Sequence, residues 1–199
     1  MKRYAFIDVQ NTETTTLKVL GFELDHEKLY LYLKEKWQCE KVFFYPGIEY
    51  GDTKREDVFR RISESSGNVR IKYYFVYRNN DKIKIINCPK CNFKITQKIV
   101  GGHTWKCNCD VEMTMDIMDY IEKDTELLIF TGDGDFECII ERAVRNCTKV
   151  YLVSSAQKIK NGFHVSSSRF AMKLRTLIEK YTGKIIYLEI NDWKRLIEK

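Results

Sequence analysis

Two runs in this chain, LLIF at 127–130 and VYLV at 150–153, are apolar without alternation. A strand with one wet face alternates apolar and polar side chains. Unbroken apolar strands instead need cover on both faces, as in the parallel sheet of an α/β protein. The rest of the chain agrees with that demand. Strands are expected at 4–9 (YAFIDV), 41–45 (KVFFY, stopped by Pro46-Gly47), 69–78, 126–131, 149–153 and 184–189. Helices are expected from the N-cap Asp25 to about Trp37, at 53–63, 111–121, 135–146 and 167–181, and from Asp192 onward. In the helix 111–121, Val111, Met115 and Met118 have the spacing of a core-facing stripe. This alternation predicts a mostly parallel central sheet covered on both sides.

Polar sites in such sheets gather outside the carboxyl ends of the strands. The stretch LLIFTGDGDF (127–136) runs from strand into Asp133 and Asp135, and the first strand ends in Asp8. Asp110 opens the helix that precedes this stretch, and Asp116 lies within it. Singly, each acid has an ordinary reading: Asp110, Asp133 or Asp135 as a helix cap, Asp116 as a solvated side chain. Together in one cleft, each pair of like charges ~4 Å apart costs roughly 4 kcal/mol at an effective dielectric near 20. Hard divalent ions, Mg2+ or Mn2+, relieve that repulsion through oxygen ligands. Paired ions of this kind activate water and steady a leaving oxygen in phosphodiester hydrolysis.

Seven cysteines, an odd number, with no export signal ahead of the first strand, point to reduced thiols in an intracellular, cytoplasmic protein. Four of them cluster as Cys88-Pro89-Lys90-Cys91 and Cys107-Asn108-Cys109, close to the spacing of a structural zinc ribbon. His103 is an alternative fourth ligand. Six lysines (82, 84, 90, 94, 98 and 106) and no acid fall between Lys82 and Cys109, which accounts for the whole formal excess of +6. Four thiolates on Zn2+ carry −2, so the ribbon would keep about +4, suited to a phosphate backbone. Lys94, Lys98 and Trp105 are its candidate substrate contacts, and zinc would supply the folding energy that so small a segment lacks. Outside it, Lys54, Arg55, Arg60, Arg61, Lys158 and Lys160 are scattered bases; a solvated helix face explains 54–61 equally well. No apolar run approaches the length of a membrane span.

Three segments, FIDVQN (6–11), CDVEMTMDIM (109–118) and LLIFTGDGDF (127–136), resemble the signature segments of the NYN domain, a group of PIN-like ribonucleases. The resemblance implies a PIN-like three-layer α/β/α fold over 1–82 and 110–199, interrupted by the zinc ribbon at 83–109, and metal-dependent cleavage of RNA. By position it implies Asp8, Asp110, Asp133 and Asp135 as Mg2+ or Mn2+ ligands, with Asp116 as partner of Asp110. It further implies Asn11 orienting water or substrate and Thr131 touching a phosphate or an Asp. The chain departs from the family pattern at Val9, where glycine is common, at Thr12, and at Met113, which replaces a leucine. The expected function is a divalent-metal ribonuclease, probing RNA in preference to DNA and cutting internally. A non-catalytic RNA-binding module is the alternative, although a phosphate-binding surface gains nothing from four carboxylates. A haloacid-dehalogenase-type phosphatase needs an acid where Gln10 stands, and no Walker phosphate loop is present.

Overall fold

The computed structural model describes residues 1–74, 77–78, 80–101, 103–104, 107–147, 149–161 and 164–199, with the side chains of 77–78, 103–104, 159–161 and 164–167 left aside. Strand β1 (Lys2–Asp8) leads into α1 (Val9–Lys18) and α2 (His26–Glu35), followed by β2 (Lys41–Tyr45), β3 (Gly47–Glu49), α3 (Thr53–Glu64), β4 (Asn68–Val69) and β5 (Lys72–Tyr74). A cysteine-bearing segment holds β6 (Tyr77–Arg78), β7 (Lys82–Asn87), β8 (Lys94–Ile99) and β9 (His103–Thr104). Then come α4 (Asp110–Asp119), β10 (Thr125–Phe130), α5 (Glu137–Asn146), β11 (Lys149–Ser154), β12 (Lys158–Asn161), β13 (His164–Ser168), α6 (Met172–Lys180), β14 (Ile185–Glu189) and α7 (Lys194–Ile197).

Six strands form one sheet in the order β14-β11-β10-β1-β2-β4, and every neighbouring pair in it is parallel. From β1 the chain builds outward through β2 on one side and through β10 on the other. The order therefore reverses between β1 and β10, a switch point where a crevice opens at the strand ends. All six residues of β10 are buried, as its unbroken apolar run requires. One face of the sheet packs Phe6, Leu127, Ile129 and Leu152 against α4, α5 and α6; the other packs Ile7, Phe44, Leu128 and Phe130 against α1, α2, α3 and α7. The result is the expected three-layer α/β sandwich.

Several elements differ from the sequence reading. The stretch 9–18 carries no apolar periodicity, yet it is helical because Asp8 caps it and accepts from the Asn11 amide at 3.0 Å. The hydroxyls of Thr12 and Thr14 donate to the carbonyls one turn back, at 2.7 and 2.6 Å, so these β-branched polar residues are satisfied inside the helix. The expected strand 69–78 is broken: only Asn68–Val69 joins the main sheet, and Lys72–Tyr74 pairs with β3 instead. The expected helix 167–181 starts later, after the strand β13. On α4, Val111, Met115 and Met118 are exposed and Met113, Asp116 and Ile117 are buried, the opposite face from the one expected. The reason is Asp116. Its carboxylate accepts from the Arg70 guanidinium through both oxygens at 2.5 Å and from the Tyr45 hydroxyl at 2.8 Å, which turns its side of the helix inward.

Candidate active site

Register brings the first acid to the switch point. Ile7 pairs with Phe130 and Asp8 with Tyr45, so the turns that leave β1 and β10 lie side by side. Asp8 Oδ1 caps α1, and Asp8 Oδ2 accepts from the Thr131 hydroxyl at 3.3 Å. The Thr131 oxygen in turn accepts from the Asp133 amide at 3.2 Å. Asn11, one turn into α1, accepts the Gly132 amide at 2.9 Å and ties the β10 turn to α1. Gly132 is fixed by crowding: a Cβ there would stand 3.0 Å from Ser154 Oγ and 3.1 Å from the Arg169 carbonyl.

The third acid arrives from a different layer. Asn108, just before the N-cap Cys109 of α4, accepts the Asp110 amide on Oδ1 at 2.8 Å, while its carbonyl accepts from Lys72 Nζ at 2.9 Å. Asp8, Asn11, Asp110 and Asp133 thereby line a single cavity of about 320 Å³, together with Gln10, Tyr45, Cys107, Cys109 and Arg169. Burial pushes the Asp8 carboxyl up to about 6, and the charges of Asp110 and Asp133 add to the rise against the hydrogen bonds from Asn11 and Thr131. Asp110 is raised as well, by burial first and then by Asp133, Asp135 and Glu112. Mutual repulsion across the cavity is thus written into both groups.

Other expected residues fall elsewhere. Asp135 is exposed at the rim, its amide donating to Asp133 Oδ1 at 3.0 Å, and does not line the cavity. Asp116 lies behind the wall, bound to Arg70 and to Tyr45, whose hydroxyl is raised by burial and by that bond. Thr131 is buried, and its hydroxyl donates to Asp8 and accepts from the Asp133 amide, so it positions both acids. Lys98 pairs with Asp81 at 2.9 Å, and Lys94 and Lys158 are exposed. Arg55, Arg60 and Arg61 are engaged by Glu13, Asp57 with Glu64, and Glu27, which fits the solvated-face reading. Trp105 lies outside the described residues, as do the side chains of His103 and Lys160. Arg169, unremarked in the sequence because it follows a serine run without periodic context, is the one cation on the cavity wall among the described residues.

The four clustered cysteines form two pairs. Cys88 and Cys91 meet at the turn of the β7–β8 hairpin, where the Lys90 and Cys91 amides hold the Cys88 thiol low. Cys107 and Cys109 meet on the cavity wall, and burial pushes Cys109 up to about 12. A Cβ on Gly47 would stand 2.8 Å from Cys107 Cβ, so glycine is what admits this pair against β3. The expected convergence of all four sulfurs is not formed. Among the described residues no three His, Cys, Asp or Glu side chains stand close enough together to hold an ion. The donor types nevertheless match their groups: hard carboxylates repelling one another in the cavity suit Mg2+ or Mn2+, and short-spaced thiols suit zinc. Among the described residues no helix is long and apolar enough to cross a membrane.

Comparison with known proteins bears on the same segments. The family model described as the NYN domain matches residues 4–172. Low amplitude and bright protein LabA of Synechococcus elongatus is 30% identical over 94 residues, which cover 47% of this chain and 41% of LabA. The match therefore spans well under two thirds of that relative. The crystal structure of VPA0982, a protein of unknown function from Vibrio parahaemolyticus RIMD 2210633, superposes with a TM-score of 0.58 at 16% identity, covering 96% of this chain and 94% of that one. At that identity the likeness concerns the fold.

Proposed function

The chain belongs to the NYN domain family, whose members are generally nucleases, and from that premise we propose that it is a divalent-metal-dependent ribonuclease that hydrolyses phosphodiester bonds within RNA. The observation that carries the reading is the cavity at the switch point, where Asp8, Asp110 and Asp133 from three separate segments face one another. Burial first, and then the charges of Asp110 and Asp133, raise Asp8 to about 6, so an ionised Asp8 calls for a compensating cation. Bound Mg2+ or Mn2+ would neutralise these carboxylates, polarise the phosphate and lower the pKa of water.

The chain's own groups have distinct roles in this proposal. Asp8, Asp110 and Asp133 would hold the ions, and Asp135 could join them from the rim. Thr131 and Asn11 fix the two turns that carry Asp8 and Asp133; Asn108 fixes the start of α4 and so Asp110. Arg169 offers a guanidinium to the scissile phosphate, countering the acids that would repel it. Water attacks phosphorus and the 3′ oxygen leaves, giving a 5′-phosphate end. Asp116 keeps α4 in register through Arg70 and Tyr45. To hold one structural zinc the two separate cysteine pairs would have to come together; bound that way, the ion would pin the segment leading into Asp110, and the lysines of β7 and β8 would meet the RNA backbone.

The test incubates labelled RNA and DNA with the protein in Mg2+, Mn2+ or EDTA, beside Asp8→Asn and Asp133→Asn proteins. RNA cleavage that needs the metal and both acids supports the reading. Cleavage surviving both substitutions refutes it. Binding without cleavage would favour the RNA-binding module, a reading that the spread of the acids in the metal-free fold also suits.

A further inference from the structure

Strands β3 and β5 form a short parallel ladder against the cavity, pairing Gly47 with Lys72, Ile48 with Tyr73 and Glu49 with Tyr74. Its near end is part of the cavity wall: Gly47 lines the cavity, and Cys107 Sγ donates to the Lys72 carbonyl at 3.4 Å. Its far end carries two aromatic rings into solvent. Tyr50 is 70% exposed and Tyr73 50%. Their centroids are 6.4 Å apart and their planes 71° apart, so the rings meet at a corner. The Tyr50 amide donates to the Tyr74 carbonyl at 3.0 Å, which fixes the backbone of one ring to the strand of the other. Single exposed aromatics need no explanation, but two held together by a backbone ladder whose other end lines a charged cavity do.

We propose that Tyr50 and Tyr73 form a stacking subsite for one unpaired base next to the scissile phosphate. The inference rests on the ribonuclease reading above and adds the form of the substrate it takes. Gly47, on the cavity wall, and Tyr50, in the turn that follows β3, are three residues apart, roughly 10 Å at most, so the corner lies near the cavity although neither ring lines it. A base slotted into the corner lies flat on one ring and meets the edge of the other, the offset and perpendicular contacts that aromatic rings favour. A base in a duplex has both faces covered by its neighbours and cannot enter. The subsite therefore selects single-stranded RNA, a loop or a frayed end, without reading sequence, because every base has a π-face. In the sequence β5 is followed by a lysine-rich segment, Lys82, Lys84, Lys90, Lys94 and Lys98, with no acid between Lys82 and Cys109, which suits a phosphate backbone.

The experiment uses short single-stranded RNAs in which 2-aminopurine replaces one base at a time, titrated with the full chain in EDTA so that no cleavage intervenes. Fluorescence is expected to be quenched at one or two neighbouring positions. Tyr50→Ala and Tyr73→Ala should abolish that quench and weaken binding about 5- to 150-fold, the worth of stacking one base, while Tyr50→Phe and Tyr73→Phe should preserve it. An abasic residue at the quenched position should make the alanine variants indistinguishable from the parent. In the cleavage assay the alanine variants should raise KM with little change in kcat. Unchanged quench in both alanine variants, or duplex RNA bound as tightly as the single strand, would overturn the inference. Absence of cleavage by the parent protein would instead overturn the ribonuclease reading. A tyrosine-dependent quench in that same protein would leave the base-binding corner standing, so the two failures are separable.

Discussion

Asp8→Asn should stabilise the metal-free protein. The carboxyl has an ordinary value of 3.8 and is pushed up to about 6 in the fold, first by burial and then by Asp110 and Asp133. The folded state therefore holds a proton on Asp8 that the unfolded chain has already released between pH 4 and 6. With more protons bound in the native state, stability falls as pH rises through that window and stays low above it. At about 1.36 kcal/mol for each pH unit between the two values, ionised Asp8 costs the fold on the order of 3 kcal/mol. Asparagine keeps an oxygen for the Asn11 amide and carries no charge. In EDTA at pH 8 the variant should thus melt roughly 6–12 °C above the parent, at about 2–4 °C per kcal/mol for a chain of this size. At pH 3.5 the two should converge. Adding Mn2+ should reverse the order, because ions that bind only the folded parent stabilise it in proportion to ln[Mn2+]. Urea or thermal melts of both proteins between pH 3.5 and 8, with EDTA and with Mn2+, supply the comparison. A variant less stable than the parent at pH 8 in EDTA, or a stability difference that does not change with pH, would refute the reasoning.

Arg70→Ala should destabilise the fold by about 2–3 kcal/mol, below the usual cost of breaking a buried pair because Arg70 itself is half exposed; Arg70→Lys should not restore the bidentate bond, and urea melts read both. Gly132→Ala should cost about 1–3 kcal/mol through crowding against Ser154 and the Arg169 carbonyl, and should lower kcat for RNA by more than its stability loss explains, because the turn bearing Asp133 moves. Arg169→Ala should weaken cleavage with no change in melting temperature, whereas equal activity would remove it from the site. Cys109→Ser should release a zinc, measured by a colorimetric chelator, and weaken Mn2+ binding through Asp110; unchanged nuclease activity in that protein would refute the coupling.

Much of this architecture is legible in the sequence where burial dictates composition. The run at 127–130 has no polar residue because β10 is covered on both faces, and the glycines at 132 and 134 mark a turn that no strand can absorb. The pairing of Asp8 with the 131–133 turn follows once β1 and β10 are neighbours at the centre. The sequence is silent where a polar residue decides packing. Met113, Asp116 and Ile117 (i, i+3, i+4) share one helix face just as Val111, Met115 and Met118 (i, i+4, i+7) share another, and periodicity favours the stripe without a charge; Arg70 and Tyr45, distant in the chain, select the other. Helix α1 hides for a related reason, since Thr12 and Thr14 are poor helix formers until their hydroxyls find the carbonyls one turn back. Arg169 and the Tyr50–Tyr73 corner carry no motif at all; only the folded chain shows what lies beside them.

The claim on which the rest depends is that carboxylates from β1, the start of α4 and the end of β10 act as one cation site. Titration of Mn2+ into the parent and into Asp110→Asn, followed by calorimetry at pH 7.5, addresses it directly. A loss of affinity of at least about 10-fold is predicted, comparable to or beyond that from disturbing groups around a metal's ligands. Equal Mn2+ affinity in the two proteins would mean that Asp110 shares no ion with Asp8 and Asp133, and the site would not exist as described.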